Sequence, residues 1–212
     1  MYMGDVMTIK KLEHLRPDLE LIADLVKENS TVLDLGCGAG DLLHKLLHER
    51  NVRGHGVEFY HKYIYACVNK GVPVIHADLD KGLDDYPDKS FDYVILSRTM
   101  QAVKKPHLIF KEMLRVGDLG IVSLLNFGFW KIRYQLLFKG KMPITKVLPY
   151  EWYDTPNIHL ATIKDFEELC KKENISIKKR INLGKDSRQK WLANLFPNYF
   201  AELAIFVIQN GD

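Results

Sequence analysis

A glycine-rich turn is the segment of this 212-residue chain whose residue types most clearly suggest chemistry. It follows the apolar run at residues 31–35 and contains Gly36, Gly38 and Gly40. Glycines let the backbone turn tightly and approach a ligand with no Cβ in between. A helix expected from about Asp41 would add unpaired N–H groups and a partial positive charge, which suit a carboxylate. The turn therefore favours a ligand with an amino-acid end.

The spacing of the turn and the acid before it narrow the choice of ligand. Many dinucleotide enzymes have a glycine-rich turn, but theirs is spaced G-x-G-x-x-G, whereas here it is G-x-G-x-G. Asp34 is poorly placed beside a pyrophosphate and well placed near an ammonium and a sulfonium. We therefore predict a site for S-adenosylmethionine (SAM) or S-adenosylhomocysteine, in which Asp34 and the turn residues Gly36, Cys37, Gly38 and Gly40 bind the cofactor. The alternative is that Asp34 only hydrogen-bonds the turn.

Two more acids end the next two predicted strands. Glu58 ends the second strand, where a carboxylate can accept both hydroxyls of a ribose, although this does not separate SAM from NAD. Asp78 ends the third strand, where it could accept the adenine amine while Leu79 packs on the ring. Each has a simpler interpretation, as an exposed strand-end acid or as part of an acidic loop. Three acids at three successive strand ends are more specific than any one of them.

The pattern around these residues predicts an α/β fold. Apolar runs alternate with amphipathic helices, which is typical of a doubly wound, mostly parallel sheet. We expect seven strands, the last two forming a closing antiparallel pair, in a single domain of residues 1–212. A helix from Pro106 should turn Leu108, Ile109, Met113 and Leu114 inward. Residues 127–160, rich in aromatics and prolines, should form an inserted helical or loop cap.

The acceptor side of the site is less informative. The fourth strand ends at Ser97, which we count with the cofactor-binding residues. The Asn-Pro-Pro-Tyr type of signature, which marks many methylases of exocyclic or amide nitrogens, does not follow it. His61, His107 and His159 are general-base candidates, but a lone histidine is more often structural. The catalytic residues are therefore unknown from the sequence.

Composition restricts the partners. A net charge of +3 gives no support for a nucleic acid partner, and no apolar stretch has the roughly 18 residues needed to span a membrane. Three widely spaced cysteines suggest neither a disulfide framework nor a metal site. Cytoplasmic location is the default expectation.

Roughly residues 31–208 resemble the MetW family of bacterial methionine biosynthesis proteins. The resemblance rests on residues 32–38, on residues 90–97 with Thr99 and residues 101–103, and on the long cap segments 142–146 and 148–160. The first motif is common to class I methyltransferases, whereas the cap segment is the specific part.

This resemblance implies a class I methyltransferase fold, a role in methionine biosynthesis and association with homoserine O-acetyltransferase. It would put Asp34, Gly36, Gly38, Glu58 and Asp78 on the cofactor. The chain departs from the family pattern at three positions. Ala39 stands where the family usually has an acid, Tyr60 where acidic character is common, and Phe129 where histidine is common.

Three functions remain open from the sequence. A SAM-responsive partner of the acetyltransferase is slightly favoured, because no convincing acceptor-side acid or base is found. An active methyltransferase of a small molecule is the alternative. An NAD-dependent enzyme is the weakest of the three.

Overall fold

The centre of the protein is a seven-stranded sheet. The computed structural model describes residues 16–145, 148–184 and 187–211. The strands are β1 (Thr31–Leu35), β2 (Arg53–Glu58), β3 (Val74–His76), β4 (Phe91–Ser97), β5 (Gly117–Leu125), β6 (Ile175–Leu183) and β7 (Leu203–Asn210). Their order across the sheet is β3-β2-β1-β4-β5-β7-β6.

Six of the seven strands run in the same direction, and β7 runs opposite to them. β7 runs antiparallel to both β5 and β6, so the predicted closing antiparallel pair is confirmed. The crossovers from β1 to β2, from β2 to β3 and from β4 to β5 each contain an α-helix, whereas the crossover from β3 to β4 contains only a 3₁₀ turn at Leu79–Lys81. The predicted doubly wound, mostly parallel α/β fold is therefore confirmed.

Eight α-helices are seen within the described ranges. They are α1 (Asp18–Leu25), α2 (Asp41–Glu49), α3 (His61–Asn69), α4 (Pro106–Val116), α5 (Trp130–Tyr134), α6 (Ile163–Lys172), α7 (Ser187–Leu195) and α8 (Pro197–Phe200). Local sequence explains several starts. Pro106 occupies the first turn of α4, where its missing N–H costs nothing. Thr162 and Asp165 form a capping box at α6.

The sheet has a hydrophobic core on each face, because side chains alternate along each strand. One core joins Leu33 and Val94 to helices α4 and α6. The other joins Val32 and Ile95 to α1, α2 and the fully buried Cys67 of α3. One prediction about these helices was wrong: Leu108 of α4 is 46% exposed. It lies in the first turn of α4, where it lines a surface groove instead of facing the sheet.

The chain reverses its direction of winding at β1. From β1 it proceeds through β2 to β3 on one side, then returns so that β4 lies on the other side of β1. In open α/β sheets, ligands bind in the crevice at the carboxyl ends of the strands where this reversal occurs. The ends of β1, β2 and β4, with the turn at residues 36–40, are called the cofactor edge below.

Residues 127–160, called the cap, follow β5. They contain α5, a π-helical turn at Gln135–Lys139 and little other regular structure before α6. Throughout the described part of the chain, no helix is long and apolar enough to cross a membrane.

Candidate functional site

The three glycines of the turn differ in what their missing side chains allow. All three have positive φ angles, of 69° at Gly36, 57° at Gly38 and 76° at Gly40, which L residues adopt at a cost. A Cβ on Gly36 would lie 2.6 Å from the hydroxyl of Thr99. A Cβ on Gly38 would meet nothing within 4 Å. The turn is thus packed at its first glycine and open at its second, where a ligand has room.

Asp34 is a buried acid whose carboxyl is not fully satisfied. It lies in β1 between Gly56 of β2 and Ile95 of β4, and only 2% of it is exposed. Its Oδ1 has no hydrogen-bond partner among the described residues. Burial raises the pKa of Asp34 to about 7; nearby Arg16 opposes this rise and Glu58 adds to it. A buried acceptor of this kind is costly and suits a positively charged ligand group.

Glu58 ties the second strand to the turn. Its Oε2 accepts a hydrogen bond from the Gly38 N–H at 2.9 Å, and its Oε1 accepts from the N–H groups of Phe59 and Tyr60 at 2.9 and 2.8 Å. The residue is 6% exposed. A carboxylate has about four acceptor sites, so three bonds leave little unused capacity. Glu58 therefore holds the turn in shape as well as lying where a ribose is expected.

Cys37 lies beneath the turn. Its Sγ is 3.9 Å from the Sγ of Cys67, and the Cys67 thiol donates to the Gly38 carbonyl at 3.2 Å. Burial, with Asp34 as the next contributor, raises the pKa of the Cys37 thiol well above its usual range. Cys37 is thus a neutral packing residue that also lines the cavity beside Asp34.

Ser97 ends β4 and belongs to a charged cluster that the sequence alone did not reveal. Its hydroxyl accepts a hydrogen bond from Arg16 and lies 3.4 Å from Oδ2 of Asp18. Asp18 is fully buried and pairs with Arg98 at 2.7 Å and with Arg16 at 3.3 Å. Arg98 has a left-handed φ of 57°, a strained conformation that often accompanies functional sites. In the sequence, the only indication of this cluster is the pair of opposite charges, Arg16 and Asp18, on either side of Pro17.

A small cavity of about 30 Å³ lies beside Asp34. Four of the predicted residues, together with Arg16 and part of α2, line it. The lining residues are Arg16, Leu19, Asp34, Gly36, Cys37, Ala39, Asp41, Leu42 and Ser97. The structure therefore brings residues after β1 and at the end of β4 to one point, as the reversal of winding requires.

Asp78 and Leu79 lie farther along the edge, after β3. The Asp78 side chain accepts a hydrogen bond from the Asp80 N–H at 3.0 Å and so caps a short 3₁₀ turn at Leu79–Lys81. Leu79 is partly buried and packs against one of the two cores. One carboxylate oxygen of Asp78 thus has a structural partner.

The cap is attached to the cofactor edge through Gln101. This fully buried residue accepts two hydrogen bonds on its carbonyl, from Ile158 N–H at 2.8 Å and His159 N–H at 3.0 Å. Its side chain also bonds both the N–H and the carbonyl of Leu125 at the end of β5. Farther along the cap, burial raises the pKa of Tyr150, and Tyr63 of α3 contributes to that rise. The cap therefore reaches from β4 and β5 towards the start of α3.

The cap contains an apolar cavity of about 330 Å³ and a group of exposed aromatic and aliphatic side chains. Phe127, Pro143 and Leu148 line the cavity, with Glu151 as a charged wall residue. The residues exposed by more than two thirds are Leu137, Phe138, Trp152 and Tyr153. Phe129, by contrast, is 2% exposed and packs in the core, where its phenyl ring serves as an apolar packing group.

The three histidine candidates lie outside the small cavity at Asp34. The His61 ring lies against the His76 ring, with centroids 4.5 Å apart and the planes tilted by 41°. His159 turns its Nε2 to the Lys104 carbonyl at 3.3 Å, and His107 lies in the first turn of α4. The described residues therefore place no histidine in the lining of this cavity.

Solved structures support the fold assignment. A SAM-dependent methyltransferase from Mesorhizobium loti superposes with a TM-score of 0.65 at 17% identity, covering 92% of this chain and 96% of that chain. One from Archaeoglobus fulgidus has a TM-score of 0.63 at 15% identity, covering 96% and 99%. At these identities the likeness shows the class I methyltransferase fold alone.

Sequence comparison goes further than the fold. The model of the family described as methionine biosynthesis protein MetW matches residues 16–208. A relative from Rhodopirellula baltica, named bifunctional methionine biosynthesis protein MetXA/MetW, is 34% identical over 207 residues. The match covers 93% of this chain and 33% of that protein, so the chain spans about a third of its relative's length. Because the family match takes in both the cofactor edge and the cap, this chain belongs to the MetW family of methionine biosynthesis proteins.

Proposed function

We propose that this protein binds SAM at the cofactor edge and acts with homoserine O-acetyltransferase in methionine biosynthesis. The observation that carries the cofactor half is Asp34, a buried acid with an unpaired Oδ1 beside an open glycine turn. Burying an ionised carboxylate without a partner costs free energy. An ammonium or sulfonium group would offset this cost, whereas a neutral or anionic ligand would not. Gly38 leaves space where a side chain would stand in the way.

The remaining proposed contacts follow from position. Glu58 would accept the ribose hydroxyls with its last acceptor site, or by giving up the Gly38 N–H. Asp78 would use the oxygen that does not cap the 3₁₀ turn for the adenine amine, with Leu79 beside the ring. Bound SAM would supply an electrophilic methyl group, and S-adenosylhomocysteine would occupy the same site.

The partner half rests on a relative and on the cap. The Rhodopirellula baltica relative is named a bifunctional MetXA/MetW protein, and this name supports a functional pairing of the two activities. We further propose that residues 127–160 form the docking surface of a single methyltransferase-like domain. Exposed Trp and Tyr side chains such as Trp152 and Tyr153 are common anchors of protein interfaces. Three buried free cysteines suit a reducing compartment, so we place this activity in the cytoplasm.

Calorimetry with SAM and NAD side by side tests the cofactor. We expect saturable binding of SAM, and no binding of NAD, because Asp34 would face the pyrophosphate. Tighter binding of NAD than of SAM would overturn the proposal.

Co-purification with homoserine O-acetyltransferase tests the partnership, and two tryptophans make a matched pair of variants. Trp152 in the cap is 70% exposed and Trp191 in α7 is 62% exposed. Trp152→Ala should abolish the complex while Trp191→Ala leaves it intact. Equal retention by both variants would rule out the Trp152 side of the cap as the interface.

The cap cavity favours a second candidate, an active methyltransferase of a small, largely apolar molecule. Its volume of about 330 Å³ lies in the range of ligand pockets, and Phe127 connects it to the end of β5. Transfer would then depend on positioning the acceptor in line with the sulfonium. Incubation with methyl-labelled SAM and candidate metabolites distinguishes the two: turnover supports the enzyme, and clear binding without turnover supports the partner protein.

A further inference from the structure

A groove of about 680 Å³ lies beside the edge strand β6, at the opposite end of the sheet from β3. Strand β6 supplies one wall, and helix α6 supplies another through Glu167 and Lys171. Asn194 of α7 also lines the groove. In the strand order, β4, β5 and β7 lie between β1 and β6, so the groove is separate from the cofactor edge.

A β-bulge in β6 decides which side chains of this strand face the groove. The register against β7 skips one residue between Ile177 and Lys179. An extra residue of this kind shifts the alternation of side chains along a strand. Ile177 therefore packs against the core that includes α6, while Arg180 pairs with Glu167 of the same helix. Asn182 follows on this face and lines the groove with them.

The groove carries a surplus of positive charge. Its charged lining residues are one acid and four cations, namely Glu167, Lys171, Lys178, Lys179 and Arg180. The acid is already paired with Arg180. Within residues 16–145, 148–184 and 187–211, none of the three lysines forms an ion pair. Three exposed ammonium groups are therefore available to a ligand with negative charge.

Asn182 adds a buried polar group whose hydrogen bonding is incomplete. The residue is 7% exposed, and its Nδ2 donates to Oδ1 of Asn194 at 3.4 Å. Its own Oδ1 has no hydrogen-bond partner in the described part of the chain. A buried amide oxygen without a donor costs free energy. The groove therefore suits a ligand that carries an N–H or O–H donor as well as negative charge.

We propose that this groove binds an extended acidic segment of a partner protein, which lies along β6. The lining residues of β6 run from Ile175 to Asn182, a length of about 23 Å in a strand. That length exceeds a small anion and fits about seven residues of an extended peptide. In the described sheet β6 is bonded to β7 alone, so its other side is open to a further strand. A polypeptide supplies both the backbone groups that pair with a strand and an N–H for Asn182, whereas a nucleic acid backbone does not.

The lysines of β6 also have a simpler interpretation. Lysines and bulges on an edge strand prevent edge-to-edge aggregation. This role accounts for Lys178 and Lys179. It does not account for Lys171, which lies on helix α6, or for the unpaired oxygen of Asn182. Those two residues therefore carry the test.

Fluorescence anisotropy with a labelled peptide of about nine residues, alternating glutamate and valine, tests the proposal. Lys171 and Lys172 are neighbouring exposed lysines at the end of α6, and of the two only Lys171 lines the groove. Lys171→Glu and Lys172→Glu change the net charge equally, so they form a matched pair. We expect saturable binding to the wild type, about tenfold weaker binding to Lys171→Glu, and a change within about twofold for Lys172→Glu. Asn182→Leu removes the unpaired oxygen and should weaken binding about threefold to tenfold.

Two further probes separate charge from backbone. The same peptide with glutamine in place of glutamate should bind at least about tenfold more weakly than the acidic one. An oligothymidylate of matched charge should also bind more weakly than the acidic peptide. Equal or tighter binding of the oligothymidylate would make the groove a nucleic acid site and overturn the proposal.

Other outcomes also count against the groove. If the wild type does not bind the acidic peptide, the proposal is wrong and the lysines only protect the edge strand. Equal weakening by Lys171→Glu and Lys172→Glu would show long-range attraction without a site. Should Asn182→Leu not fold, the two lysine variants decide. Calorimetry with SAM should give the same affinity for the wild type and both lysine variants, so the groove and the proposed function are tested separately.

Discussion

The cofactor edge and the cap differ in how their residues are held. At the cofactor edge, Asp34 and Glu58 are nearly inaccessible, and their positions follow from parallel strands in fixed register. In the cap, Trp152 and Tyr153 are 70% and 73% exposed, and few regular hydrogen bonds hold the backbone. The first region is shaped before any ligand arrives. Among the described residues, the second leaves apolar surface exposed, of the kind that ligands and partner proteins cover.

The largest expected effect on stability comes from replacing a glycine in each of the two regions. Gly36 and Gly140 have similar φ angles, 69° and 59°, but a Cβ would contact Thr99 at the first and nothing within 4 Å at the second. Gly36→Ala should destabilise the fold by about 3 kcal/mol, from left-handed strain and overpacking together. Gly140→Ala should cost about 1 kcal/mol, from strain alone. Urea unfolding of the two variants measures this, and equal losses would contradict the contrast.

Removing the acid at the cofactor edge should stabilise the protein. Burial raises the pKa of Asp34 from its ordinary value of 3.8 to about 7, so the folded state favours the neutral carboxyl. The contribution of Asp34 to the free energy of unfolding is fully present below pH 3.8 and is lost as the pH rises to 7. The total loss is at most about 4 kcal/mol. Asp34→Asn should therefore be more stable than wild type at pH 8, by about 2 kcal/mol, since its amide stays incompletely paired.

The comparison of Asp34→Asn with wild type should be made across pH. The two proteins should converge towards pH 4, where the wild-type carboxyl is neutral. A difference in unfolding free energy that does not change between pH 4 and pH 8 would show that Asp34 keeps an ordinary pKa.

Ligand binding should depend on pH through the same carboxyl. An ammonium group binds the anionic form of Asp34, so below about pH 7 binding must first remove a proton. The affinity for SAM should fall about tenfold from pH 7.5 to pH 6, and Asp34→Asn should bind weakly at both. Calorimetry at the two values checks this, and a flat profile in the wild type would remove Asp34 from the ammonium site.

The smallest effect is expected in the cap. Trp152→Ala should change the unfolding free energy by within about 0.5 kcal/mol, because exposed side chains contribute little to the folded state. A thermal melt beside wild type measures it. A loss above about 2 kcal/mol would mean that Trp152 packs inside the cap, and its use as a docking probe would then be invalid.

Strand and helix positions were predictable because they depend on local patterns. The apolar run at residues 31–35 became β1 with the same bounds, and the helix expected from Pro106 begins there. The prediction for Leu108 failed because it assigned inward positions without the helix's orientation on the sheet. The proposed ligand contacts of Asp78 and Leu79 remain predictions.

The sequence by itself determined the class of fold, the glycine turn and the family, since alternating apolar periods and short motifs are local properties of the chain. Tertiary structure decided which charges share a cavity. Arg16, Asp34 and Ser97 are far apart along the chain, and only the order β2-β1-β4, with α1 packed beside it, brings them together. Tertiary structure also decided that Asp34 is buried with an unpaired oxygen, because burial depends on both faces of the sheet being covered. The turn was therefore recognisable from its residues, but its electrostatics were not.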